Sequence, residues 1–135
     1  MKITLDLADT VFSQYIRLRD RRCLRCGSPV QLNDKGLPVS HENSHYWGRG
    51  REGTRYEPDD CITLCFACHK LWGHGDERDA YKDFMIKRLG QRRFDTLEIQ
   101  AKTYRKKDRK LALIYARELL KSLKADVDNF LPKPK

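Results

Sequence analysis

At 135 residues the chain has the length of one domain with a modest core, not of two independent ones. Lys and Arg number 28 against 19 Asp and Glu, a formal net charge of +9, which favours a polyanionic partner. No apolar run approaches the ~20 residues that span a bilayer, and the opening MKITLDLADT carries acids where a signal peptide has an apolar centre, so a soluble cytoplasmic protein without a membrane partner is expected.

Residues 8–20, ADTVFSQYIRLRD, place Val11, Phe12, Tyr15, Ile16 and Leu18 at helical spacing and predict an N-terminal helix. Residues 23–56 are rich in Gly, Pro, Asn and Ser with short apolar alternations, which predicts knuckle turns and a β-hairpin, with NDKG at 33–36 as a turn. A short helix follows CFAC through Leu71 and Trp72 and stops at Gly73 and Gly75. DERDAYKDFMIKRLG predicts a helix capped by Asp76, with Tyr81, Phe84, Met85, Arg88 and Leu89 on one side and Gly90 as its stop. RRFDTLEIQ predicts a shorter one, and the basic YRKKDRK at 104–110 is of low complexity.

Residues 108–127 predict the last helix, with Leu113, Ala116, Leu120, Leu123 and Val127 in one stripe and Leu111, Tyr115 and Leu119 beside it. A stripe that broad suits packing on the body and on a second copy, so a homodimer is expected. The single domain thus divides into an N-terminal helix (8–20), a cysteine-bearing core (21–75), a helical C-terminal region (76–127) and a tail (128–135) whose LPKPK reads as frayed.

Five cysteines in a cytosolic chain point to metal, because reducing conditions disfavour disulfides and an odd count leaves one thiol over. CLRC supplies Cys23 and Cys26, CFAC supplies Cys65 and Cys68, and two such knuckles close a tetrahedral thiolate site around a structural Zn²⁺. Cys61 falls outside both and reads as a small apolar packing residue. Closing the site brings His45, in SHYWGRGREGTRY, close to His69, which follows Cys68 directly. His69 would then be placed to ligand a second, oxygen-preferring metal, and His45 to activate a water.

The order Cys-x2-Cys, SHY, DDCITLCFACH resembles the zinc-knuckle branch of the HNH (ββα-metal) nucleases. FSQYIRLRD, SHYWGRG and IKRLGQRRFDTLE further resemble segments of the phage NinG (Rap) recombination nucleases, over residues 8–124. The resemblance implies an α+β fold: a small ββα-metal core with a four-cysteine zinc site, wrapped by N- and C-terminal helices. It implies a phage-encoded or bacterial, metal-dependent DNA endonuclease acting on branched recombination intermediates such as Holliday junctions. Matched residue by residue, the catalytic set is His45 at the general base, His69 at the ligand of a catalytic Mg²⁺ or Mn²⁺, and Asp60 where relatives have an asparagine that braces the hairpin; as an aspartate it either braces as an acceptor only or adds charge to the metal shell. Ser44 stands where many relatives carry an aspartate ligand, and His74 either completes the metal shell or is a loop histidine.

Arg49, Arg51 and Arg55 follow the base in a glycine-spaced loop and read as phosphate grips. Tyr46 and Trp47 read as hairpin packing, and His41 as a hairpin or surface residue. Two other functions fit the same residues: a non-specific or homing-type HNH nicking nuclease, and a DNA-binding zinc module whose catalytic centre has decayed.

Overall fold

Helix α1 (Leu7–Asp20) opens on a reciprocal cap: the Asp9 N–H donates to Asp6 Oδ1 at 3.2 Å and the Asp6 N–H donates to Asp9 Oδ2 at 3.0 Å. Val11, Phe12, Ile16 and Leu18 are buried, as their spacing predicts. The structure is a computed structural model that describes residues 5–130, with side chains described up to residue 125.

Strands β1 (Glu42–His45) and β2 (Cys61–Leu64) pair antiparallel, with Ser44 opposite Ile62 and His45 opposite Cys61. Residues 46–60 connect them and end in a 3₁₀ turn, Pro58–Asp60. A two-stranded ribbon is marginal in water by itself, and here its surroundings complete it. The Thr63 N–H donates to Asp20 Oδ2 at 2.9 Å, the Leu24 N–H donates to Thr63 O at 2.9 Å, and Arg19 donates to Cys61 O at 2.7 Å. The outer edge of β2 is thereby covered by the end of α1 and by the first knuckle.

Helix α2 (Phe66–Gly73) leaves β2 directly, giving a strand–strand–helix unit. Helices α3 (Arg78–Leu89) and α4 (Gln91–Lys102) follow, with Gly90 between them. Helix α5 (Arg109–Phe130) ends the described chain. The fold is α+β. Among the described residues it has five α-helices and one two-stranded sheet.

Apolar side chains form two clusters on either side of the sheet. Tyr46, Ile62, Leu64, Trp72, Tyr81, Met85 and Phe94 join the strands to α2, α3 and α4. Val11, Phe12, Ile16, Cys61 and Ala116 join α1 to β2 and α5, with Leu113, Leu119 and Leu120 packed against them. Each large side chain buried this way contributes about 1.5–3 kcal/mol. Cys61 is fully buried in the second cluster, as a small apolar residue should be.

Three expectations change. Glu77, not Asp76, precedes the first turn of α3, and it makes no side-chain cap. Helix α5 continues to Phe130, so a tail from residue 128 starts too early; residues 131–135 lie outside the description. The broad stripe of α5 is divided. Leu113, Ala116, Leu119 and Leu120 pack in the cluster with α1, while Leu111 and Tyr115 of the stripe, and Ile114 outside it, remain exposed; Val127 lies outside the described side chains. No helix among the described residues is long and apolar enough to cross a membrane.

Candidate functional site

The Sγ atoms of Cys23, Cys26, Cys65 and Cys68 all lie within 4.8 Å of one another, with Cys26 and Cys65 at 3.8 Å. Four sulfurs at ~2.3 Å from one centre in a tetrahedron sit about 3.8 Å apart, so the set is positioned to bind a metal ion such as zinc. The Cys26 N–H donates to Cys23 Sγ, and Arg25 Nη1 lies 3.3 Å from Cys68 Sγ while Nη2 reaches Glu77 at 3.0 Å. A positive guanidinium beside a four-thiolate site offsets its excess negative charge. Hydrogen bonding to Ser28 draws the Cys26 thiol down to about 6, toward the thiolate that a metal requires.

His41, read from sequence as a hairpin or surface residue, ties the first knuckle to the sheet. Its Nε2 lies 3.0 Å from Ser28 Oγ and its Nδ1 2.8 Å from Ser40 Oγ, just before β1 begins.

His45 Nε2 lies 2.9 Å from the carbonyl oxygen of Arg55. A carbonyl only accepts, so Nε2 carries the proton and the lone pair is on Nδ1. Burial pushes the imidazole down to about 4, against the pull of the Arg55 carbonyl, so it is neutral at pH 7.

His69, on α2, has its Nδ1 3.2 Å from Glu42 Oε1 on β1. The carboxylate fixes the Nδ1–H tautomer and leaves the Nε2 lone pair available. The His74 ring lies beside it, centroid to centroid 5.4 Å. A Cβ on Gly73 would stand 2.8 Å from His69 Cδ2 and 3.2 Å from Nε2, so only glycine leaves this ring its place.

His45, His69 and His74 line one open cleft of about 950 Å³. Its other walls carry Arg51 from the β1–β2 loop, Arg78 from the start of α3, and Lys102 and Arg105 from the end of α4 and the connector beyond it. Glu52 is the one carboxylate among the described lining residues, and it is held by Arg109 at 2.7 Å and Arg55 at 3.3 Å. The cleft is therefore basic along its length.

Other residues expected at the site are placed elsewhere. Arg55 is fully buried, with Nε 2.8 Å and Nη2 2.6 Å from the two oxygens of Asp9 in α1. It is a structural ion pair and not a phosphate grip. Arg49 is half-buried and does not line the cleft, although its charge depresses both His45 and Asp9.

Ser44 is fully buried, its hydroxyl 2.9 Å from the Tyr81 hydroxyl in the first apolar cluster. Neighbouring strand residues point to opposite faces, so with His45 at the cleft Ser44 is directed into the core and is no metal ligand. Asp60 is also fully buried, and its Oδ1 accepts the Trp47 N–H at 3.0 Å while Asp60 O accepts the Tyr46 N–H at 2.9 Å. It fastens the start of the loop to the end of β1, and burial pushes its carboxyl up to about 8.

Sequence reasoning missed Glu42, Asp9, Arg78 and Tyr104. Asp9, Arg78 and Tyr104 lie in stretches the sequence singles out, for a helix or for low complexity, but nothing there pointed to a role at the site. No protein family, curated protein or solved structure matches the chain.

Proposed function

We propose that the protein is a metal-dependent DNA endonuclease of the ββα-metal (HNH) class that hydrolyses phosphodiester bonds in branched recombination intermediates. One observation carries this reading: His45 donates its Nε2 proton to the Arg55 carbonyl and keeps a neutral Nδ1 base on a basic cleft that also holds His69. Hydrolysis of a phosphodiester needs a water deprotonated in line with the leaving oxygen, and an imidazole held in one tautomer is suited to take that proton. Arg51, Arg78, Lys102 and Arg105, which line the cleft, would hold the flanking phosphates. A bound phosphate raises the pKa of His45 toward neutrality, where a general base is most effective.

His69 Nε2, with its other nitrogen fixed by Glu42 and His74 alongside, is the donor group that fits a catalytic Mg²⁺ or Mn²⁺. Such an ion would supply charge stabilisation to the scissile phosphate. Among the described residues the four cysteines are the one group of three or more converging metal ligands, so water and phosphate oxygens would complete the coordination of the catalytic ion. A second copy docked on Leu111, Ile114 and Tyr115 would supply the two-fold related cuts that a four-way junction requires.

The burial of Ser44 favours a second reading. Without a carboxylate at that position, the chain could be a DNA-binding zinc module that no longer cuts.

Incubation of the purified protein with a four-way junction and with matching duplex, in Mg²⁺ and in Mn²⁺, separates these readings when paired with light scattering. Symmetric nicking of the junction by a species of two chains is the expected result. Equal cutting of both DNAs leaves a non-specific or homing-type nuclease, and binding without cleavage in either metal leaves the DNA-binding module.

A further inference from the structure

The far wall of the cleft carries an aromatic ring in solvent. Tyr104, in the connector between α4 and α5, is 89 % exposed, yet it lines the same cleft as His45 and His69. A ring this exposed gains nothing from packing, so the fold itself does not explain a tyrosine here.

The backbone that leads into it, at the end of α4, is fixed. Gln100 Nε2 donates to Gly53 O at 2.9 Å. A Cβ on Gly53 would stand 2.1 Å from Gln100 O and 3.2 Å from Thr103 O, so the β1–β2 loop and the end of α4 touch backbone to backbone. Thr103 Oγ1 donates to Ile99 O at 2.6 Å. Tyr104 is thus a free side chain on an anchored backbone, flanked on the cleft wall by Lys102 and Arg105, with Arg51 and Arg78 on the other walls. Cations lining a cleft together with an open ring are the ingredients of a surface that binds single strands.

Resting on the nuclease reading for its substrate, we propose that Tyr104 is a stacking platform for an unpaired nucleobase, so that the cleft takes DNA with a single-stranded segment at the site of the cut. In duplex DNA both faces of each base are covered by its neighbours, and a protein ring finds a free face only where pairing is broken. The four cations carry the phosphates on either side and make no distinction between the two forms. Preference for unpaired DNA therefore rests on the ring.

The full chain with its metal tests this by binding to fluorescent duplex and to the same duplex bearing a single-stranded flap, at fixed salt and without added divalent cation. Wild type should prefer the flap. Tyr104→Ala should weaken flap binding about tenfold and leave duplex binding unchanged, whereas Tyr104→Phe should behave as wild type. Loss on both DNAs alike, no loss on either, or a Phe variant as weak as Ala would each overturn the platform. Cleavage in Mg²⁺ and Mn²⁺ separates this from the nuclease reading. A protein that cuts nothing but shows the Ala-specific flap defect keeps the platform and loses the nuclease; one that cuts both DNAs with Tyr104→Ala unaffected does the reverse.

Discussion

The backbone carbonyl of Arg55 accepts the Nε2 proton of His45 at 2.9 Å. The same Arg55 extends its guanidinium the other way, into a two-pronged pair with Asp9 of α1. The orientation of the candidate base is therefore secured by a helix that contributes nothing to the cleft lining.

Asp9→Ala should cost about 3–5 kcal/mol, because it removes the two-pronged partner of a buried guanidinium, and urea denaturation reads the loss. Burial alone would raise the Asp9 carboxyl, but the Arg55 hydrogen bonds and charge overcome it and hold it at about 2. A carboxyl with a depressed folded-state pKa stabilises fully above its ordinary value near 4. That contribution should disappear as pH falls through about 2, and the Ala variant should lack this acid step.

His45 should gain its proton at lower pH than an exposed histidine. The folded imidazole resists protonation down to about 4, while the unfolded one takes a proton near 6.5. Between those values the unfolded chain binds the extra proton, so stability falls as pH is lowered through the window. In cleavage, the acid limb of kcat/KM should lie near pH 4, with that of kcat displaced upward by bound phosphate. His45→Ala should fold, bind DNA and cut ~10²–10⁴-fold more slowly.

Gly73→Ala should displace the His69 ring without unfolding α2, since the clash is with a side chain and alanine favours helix. The expected consequence is a cleavage rate that needs more Mn²⁺ to saturate, with DNA affinity in the absence of divalent metal unchanged. A Mn²⁺ titration of the variant beside His69→Ala checks it.

One zinc per chain should be found by elemental analysis. Removing it should release Cys23 and Cys26 from Cys65 and Cys68, loosening the link between the first knuckle and α2. Circular dichroism during chelation should show loss of structure that added Zn²⁺ restores.

Asp60→Asn should stabilise the protein, increasingly at high pH. Burial lifts the Asp60 carboxyl to about 8, so its contribution is intact below pH 4 and declines as pH rises through 8. Asparagine keeps the acceptor for the Trp47 N–H and cannot ionise. Thermal melts at pH 6 and pH 9 should show the larger gain in Tm at pH 9.

What could be read in advance was what depends on near neighbours. The CxxC knuckles declare their chemistry by spacing, and α1 declares its buried face by period. Strand alternation alone could have placed Ser44 opposite to His45, but a family pattern suggested otherwise. The fate of Arg55 was not legible, because the carboxylate that turns it inward lies in a helix far earlier in the chain. Nor was the far cleft wall, which exists only because Gly53 admits the carbonyl of Gln100. The division of α5 into a face against α1 and an exposed remainder follows from where α1 lies, which no periodicity in α5 encodes.

The packing of α1 against α5 also sets an order of events during synthesis. Val11, Phe12 and Ile16 leave the ribosome well before their partners Leu113, Ala116 and Leu120. Arg109, at the start of α5, is needed to hold Asp6 and Glu52 at 2.7 Å each. A nascent chain can assemble its cysteine cluster well before this clamp closes. The cleft is consolidated only once α5 has been made, so a partly translated chain should carry the metal centre without a finished groove beside it.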